Sequence, residues 1–174
     1  MNGNISDASP ITLVHRLSEG ANLVSFNSLP NQTSPSIILG DISYGMIGEG
    51  AAAYNTGGTW VGSLTDLNQC DGYWVFTESD VIHSITGSKS NCVHALNEGS
   101  NLKGYSCEHP VQVVNAIDDA CVSGLIGEGV AVIKIGDNWY GSLQSLYPGD
   151  AHWITTTCEI PEFTYNCTEP VLGR

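Results

Sequence analysis

Basic residues are scarce in this chain. Five Lys and Arg face 18 Asp and Glu, a formal charge of -13, and charged residues of both signs make up only 13% against roughly 25% in average soluble proteins. An acidic surface repels phosphate, whose binding depends on basic groups displacing counterions, so a nucleic-acid partner or an anionic membrane surface is disfavoured. No apolar run reaches the ~20 residues that a spanning helix needs, so membrane insertion is not expected. The opening stretch MNGNISDASP lacks the charged and apolar regions of a secretory signal. Met1 is therefore read either as a start placed on a fragment or as the natural start of a protein exported by another route.

The usual chemical motifs are missing too. There is no phosphate-cradling glycine loop ending in Lys-Ser/Thr, no His-Glu-x-x-His, no Cys-x-x-Cys and no Gly-x-Ser-x-Gly elbow, so nucleotide, zinc and hydrolase readings have no spacing support. No cofactor is expected. His152 and Asp150 could join some serine in a triad, but most chains of this size offer such a set.

What the chain has in place of motifs is a repeat. Shifted by 79 residues without a gap, VHRLSEGANLVSF (from Val14) lies over VHALNEGSNLKGY (from Val93), and GMIGEGAAA (from Gly45) over GLIGEGVAV (from Gly124). WVGSLTDL (from Trp60) and DGYWVFT (from Asp71) likewise cover WYGSLQSL (from Trp139) and DAHWITT (from Asp150). Roughly 23 of about 74 aligned positions are identical, the signature of a duplication. Two modules are expected, residues 10–88 and 89–167, joined at TGSKSNC.

Each module reads as α+β, mostly β: a small twisted sheet or open barrel with one short helix. The first strand is ANLVSF or NLKGY. The helix follows Ser34 as cap and Pro35 in its first turn, with Ile37, Ile38 and Ile42 on one face. In the second copy Pro110 opens it, with Val113, Val114, Ile117 and Cys121 at the same spacing. A hairpin turning at NTGG or GDN comes next, and strands carrying Trp74 or Trp153 and a closing strand complete the unit. His15 and His94, just ahead of the first strand, are assigned to the fold, and Ser63 and Ser142 to the hairpin exit.

The duplicated IGEG is read structurally. Its glycines permit positive φ or close packing, and Glu49 and Glu128 accept main-chain amide hydrogen bonds that fix the turn. The alternative is a cation held by Glu49 and Glu128 with Glu19, Asp71, Glu98 and Asp150, although calcium wants six to eight oxygens clustered along a loop. The four tryptophans recur at fixed spacing and are assigned to the cores. Their rival use is sugar stacking, which would recruit Trp60, Tyr73, Trp74, Trp139, Tyr140, His152 and Trp153.

Five of the six cysteines fall in the second module, and six allow fifteen pairings. Cys107 and Cys158 both replace serines of the first copy, Ser28 and Ser79, a paired change that suggests contact. Cys92 and Cys167 bracket the module. The expected bridges are Cys107 with Cys158 and Cys92 with Cys167, leaving Cys121 a buried thiol on the helix and Cys70 unpaired or intermolecular. Bridges of this kind place the chain in an oxidising compartment outside the cytoplasm: secreted, on a cell surface or on a virion.

The series GANLVSF, IGEGAAA, WVGSL and DGYWVF resembles a tandem repeat module, with consensus near Gly-x-Asn-Leu-Ile-Ser-Phe and Gly-Tyr-Trp-Val/Ile, of large secreted or surface proteins of aquatic bacteria and of some virus-associated proteins. The likeness spans both modules. It implies an adhesive, architectural or ligand-binding role and carries no reaction. The second copy departs from it, with LKGY for LVSF and AHW for GYW. The expectation is a non-enzymatic structural or attachment module whose partners are other protein subunits, copies of itself, or a cell-surface protein or glycan. A carbohydrate-binding module and a hydrolase are the alternatives.

Overall fold

The structure is a computed structural model and describes residues 10–168. It is mostly β, with several small antiparallel sheets, none closed into a barrel, and two short helices. In chain order the first repeat carries β1 (Ile11–Leu17), β2 (Gly20–Ser25), β3 (Ser28–Leu29), α1 (Pro35–Ile38), β4 (Gly45–Gly48), β5 (Ala51–Asn55), β6 (Trp60–Gly62), β7 (Gly72–Thr77) and β8 (Val81–Lys89). The second carries β9 (His94–Leu96), β10 (Gly99–Gly104), β11 (Val111–Gln112), α2 (Val113–Ala116), β12 (Val122–Ile126), β13 (Ala131–Ile135), β14 (Asn138–Gly141), β15 (Ser145–Leu146), β16 (Ala151–Thr156) and β17 (Ile160–Phe163).

The principal sheet of the first repeat runs β2-β7-β4-β5-β6 and that of the second β10-β16-β12-β13-β14, the same order under the shift. Alternation sets the faces. In β7, Tyr73, Val75 and Thr77 are buried, and Tyr73 and Val75 join Phe26, Leu29, Met46 and Leu67 in the first core. In the second repeat the counterparts of Phe26, Met46, Leu67 and Val75, which are Tyr105, Leu125, Leu146 and Ile154, lie in the second core.

The shared Gly-x-Asn-Leu motif is a turn device. Gly20 and Gly99 take φ of +100° and +108°, which glycine alone tolerates. The buried Asn22 then accepts from the Ser18 amide at 2.7 Å and donates to its carbonyl at 2.9 Å, and Asn101 does the same at Asn97 (both 2.8 Å). Thr77 and Thr156 add 2.6 Å bonds to the same two carbonyls.

Three local expectations change. ITLVHRL, read as a lead-in, forms β1 and pairs along its length with β8, so His15 sits within a strand opposite His83. The helices are single turns: Ser34 occupies the N-cap with no side-chain cap bond and Pro35 the first position, while Ile37 is exposed and Ile42 lies beyond the end. Gly40, with φ +51°, ends that turn. In the second copy the helix starts at Val113, three residues after Pro110, and Val114 is exposed. Cys121 falls outside the helix because Ile117 is already extended.

All six cysteines are bridged, and the pairings differ from those expected: Cys70–Cys92, Cys107–Cys167 and Cys121–Cys158. Neither Cys70 nor Cys121 is free. The 79-residue shift supplies the reason, because the counterparts of each bridged pair also lie together, within the first repeat for two bridges and across the two repeats for the third. Cys107 and Cys167 correspond to Ser28 and Ser88, on the paired strands β3 and β8. Cys121 and Cys158 correspond to Ile42 and Ser79, which line one cavity. Cys70 and Cys92 correspond to Gly149 and Leu13, and a Cβ on Gly149 would lie 3.5 Å from Leu13 Cδ1. The paired change at 107 and 158 did not mark a contact between them: Cys107 bonds to Cys167 and Cys158 to Cys121. Three bridges belong to an oxidising environment, and no helix among the described residues is long and apolar enough to cross a membrane.

Candidate functional site

The two repeats meet through the edge strands β2 and β10, whose unpaired amides would otherwise be open edges. Each repeat caps the other's edge. Glu128 Oε2 accepts from the Leu23 amide at 2.8 Å, and Glu49 Oε2 accepts from the Leu102 amide at 3.2 Å. Two residues along, Ser25 donates its amide to Gly149 O (2.7 Å) and Gly104 donates its amide to Cys70 O (3.0 Å). Every one of these contacts maps onto its fellow under the 79-residue shift, so the seam has an internal twofold axis.

IGEG can now be read residue by residue. Glu49–Gly50 and Glu128–Gly129 are the tips of the tight turns β4–β5 and β12–β13, where Gly50 and Gly129 take φ of +76° and +69°. A Cβ on Gly48 would lie 3.0 Å from the Tyr73 ring, and one on Gly127 3.3 Å from His152, so an aromatic ring rests on each first glycine. The glutamate then reaches across the seam. Its amide partner belongs to the opposite repeat, not to its own turn.

At the axis, equivalent residues face each other, and two identical side chains would share one space. A Cβ on Gly104 would lie 2.6 Å from Ser25 Cβ, and one on Gly72 2.7 Å from Ala151 Cβ. Gly104 is the counterpart of Ser25, and Ala151 of Gly72. The departures LKGY and AHW are therefore divergence at the seam, one glycine per pair.

The two copies of the seam also differ in charge. In one, Lys103 Nζ lies between Glu49 (3.4 Å) and Asp71 (3.2 Å), with the Cys70–Cys92 bridge alongside. In the other, the lysine's counterpart is Val24 and the cysteines' counterparts are Gly149 and Leu13. That copy is an open cavity of about 580 Å³ lined by His15, Arg16, Val24, Glu128, Gly149 and Asp150 among others. Burial, with the charge of Glu128 adding and the Tyr147 amide opposing, pushes the Asp150 carboxyl up from 3.8 to about 6. Burial lowers His15 to about 4, with His83 contributing, so its ring is neutral at pH 7. His94, the equivalent ring, is lowered to about 4 by burial and then by the charge of Lys103.

The aromatic candidates do not gather on one surface. Tyr73 and His152 are buried, while Tyr140 is exposed. Trp60 and Trp139 are half-buried against separate cores; Trp60 donates its indole N–H to Gly40 O at 3.0 Å, and Lys134 lies 5.6 Å over the Trp139 ring. Only Trp74 and Trp153 come together, packing with Leu23, Leu102 and Ala151 at the seam. The acid set divides as well. Glu49 joins Asp71 and Glu128 joins Asp150, but the Glu19 amide bonds to Asp80 on the far side of the β1–β2 turn. No group of three or more His, Cys, Asp or Glu is arranged to hold a metal among the described residues. The charge difference at the seam was legible as Val24 against Lys103 in the alignment, but it carried no meaning until both positions were seen to face an acid pair. Comparison with known protein families, curated proteins and solved structures returned no match.

Proposed function

We propose that this chain is a non-enzymatic structural and attachment module of an extracellular or virion assembly, acting through protein–protein contact. The observation that carries this reading is the contrast between its edges. The inner edges β2 and β10 are capped across the seam, whereas β6 and β14 end their sheets with no further strand paired to them among the described residues. Beside each outer edge lies an exposed apolar row: Ile47, Tyr54 and Val61 in one repeat, Ile126, Ile133 and Tyr140 in the other. Tyr54 pairs with Val61 and Ile133 with Tyr140 across the last two strands, so each row runs up to an open edge, the arrangement through which sheets recruit further protein. The matched polar groups, by contrast, are taken up by the fold. Ser63 and Ser142 each accept a main-chain amide at 3.2 Å, from Ala52 and Ala131.

Light scattering of the full chain over a range of concentrations tests the reading. Assembly should grow with concentration and be lost in a folded Tyr54→Lys, Ile133→Lys double variant. A monomer at every concentration, coupled with turnover of an ester, peptide or glycoside that one His or Asp substitution abolishes, would replace it with an enzyme.

A further inference from the structure

The internal symmetry provides two copies of one site, and the chain itself fills only one. Where Glu49 and Asp71 converge they hold the ammonium of Lys103, donated from β10. Where Glu128 and Asp150 converge, β2 presents Val24, and neither carboxylate has an ion-pair partner among the described residues. We propose that the Glu128 and Asp150 cavity binds a primary ammonium group from outside the chain, the end of a lysine side chain or of a small amine, in the place that Lys103 fills in the other repeat.

The filled copy supplies the second observation, since Glu49 and Asp71, the counterparts of Glu128 and Asp150, already hold an ammonium presented from β10. His15, only 5% exposed, lines the open cavity with its ring against Gly149, and its Nε2 is buried without a hydrogen-bond partner. The Nε2 of His94 is likewise unpaired beside Lys103, so the histidine does not distinguish the two copies; an ammonium, with three donors and no acceptor, suits the two carboxylates, as it does in the filled copy. The counterpart His94 already senses the charge of Lys103. A divalent metal fits less well, since calcium takes six to eight oxygens. The open side follows from the same comparison, because the disulfide that closes the filled copy is replaced here by Gly149 and Leu13.

The charged and titratable groups facing Asp150 are Glu128 from the β12–β13 turn and His15 and Arg16 from β1. Arg16 makes no ion pair among the described residues, and His15 stays neutral down to about pH 4. Binding should therefore weaken as pH falls below about 6, where Asp150 takes up its proton.

The site does not depend on what the chain assembles with. Its test is carboxyl carbon NMR of the full-length protein at neutral pH, titrated with butylamine and, separately, with acetyl-Gly-Lys-Gly-amide, using the Gln tripeptide as control. The expected result is a saturable shift of the Asp150 and Glu128 signals with a Kd on the order of 1 mM or below. A response to both amines assigns any primary ammonium; a response to the peptide alone assigns a lysine in a polypeptide. In Val24→Lys, which supplies the internal ammonium, affinity should drop at least about tenfold, and likewise in Glu128→Gln, which keeps an oxygen for the Leu23 amide and carries the test if Val24→Lys does not fold. Lack of any saturable shift, equal affinity in the folded variants, or a response to calcium but to neither amine would overturn the proposal.

Discussion

One substitution made at two equivalent positions should have unequal effects on stability. Glu49→Gln and Glu128→Gln each keep an oxygen that can accept the opposite repeat's amide, Leu102 in one case and Leu23 in the other. Each weakens a charge-assisted bond to a neutral one, a loss of about 1 kcal/mol. At position 49 the change also removes one of two carboxylates from Lys103, whose side chain is 17% exposed while that of Glu49 is 38% exposed. Screening at that exposure holds the further loss to about 0.5–1 kcal/mol. At position 128 the removed charge is one that repels the half-buried Asp150, so the lost bond is offset. Glu49→Gln should therefore cost roughly 1–2 kcal/mol at pH 7 and Glu128→Gln close to 0, with Asp150 titrating lower in the latter but still above 3.8, since burial is the larger cause. Urea unfolding monitored by tryptophan fluorescence gives the two values. Equal destabilisation of both variants would refute the charge asymmetry of the seam.

Three more outcomes are expected. Restoring symmetry at the axis by Gly104→Ser, against Ser25, should overpack the seam by about 1–3 kcal/mol, and adding Ser25→Gly should recover much of it; thermal unfolding of the single and double variants decides. Non-reducing peptide mapping should return Cys70–Cys92, Cys107–Cys167 and Cys121–Cys158. From the loop separations of 22, 60 and 37 residues, chain entropy puts their contributions at about 3.4, 4.3 and 3.8 kcal/mol, so loss of the Cys107 bridge should lower the urea midpoint most. Finally, His15, His94 and His152 are all lowered to about 4, chiefly by burial. Each contributes stability that is full above the ordinary value of 6.5 and is lost as pH falls toward 4. Asp150 acts in the opposite sense, contributing most below 3.8 and losing that contribution as pH rises through about 6. Burial lowers His83 as well, so with four histidines against one carboxyl the urea midpoint should fall between pH 6.5 and 4, and His152→Phe should flatten that limb.

The repeat, the strand content and the hairpin turns were readable without coordinates because they rest on local chemistry. Residue identity at a fixed shift marks the duplication, and Asn22, Gly20 and their counterparts make bonds within a few residues of themselves. The glycines of IGEG were readable as turn formers, but the role expected of its glutamates, fixing their own turn, was not the one found. Those glycines act locally, but the partner of Glu49 lies 53 residues away and that of Glu128 lies 105 away, and no periodicity encodes such a distance. The same holds for the cysteines, whose pairing depends on which positions the folded repeat brings side by side. Chain chemistry alone fixed two matching halves with one plan. How those halves face each other, and hence why Lys103 fills one acid pair while Val24 leaves the other open, was decided by packing around an axis that exists only once both are folded.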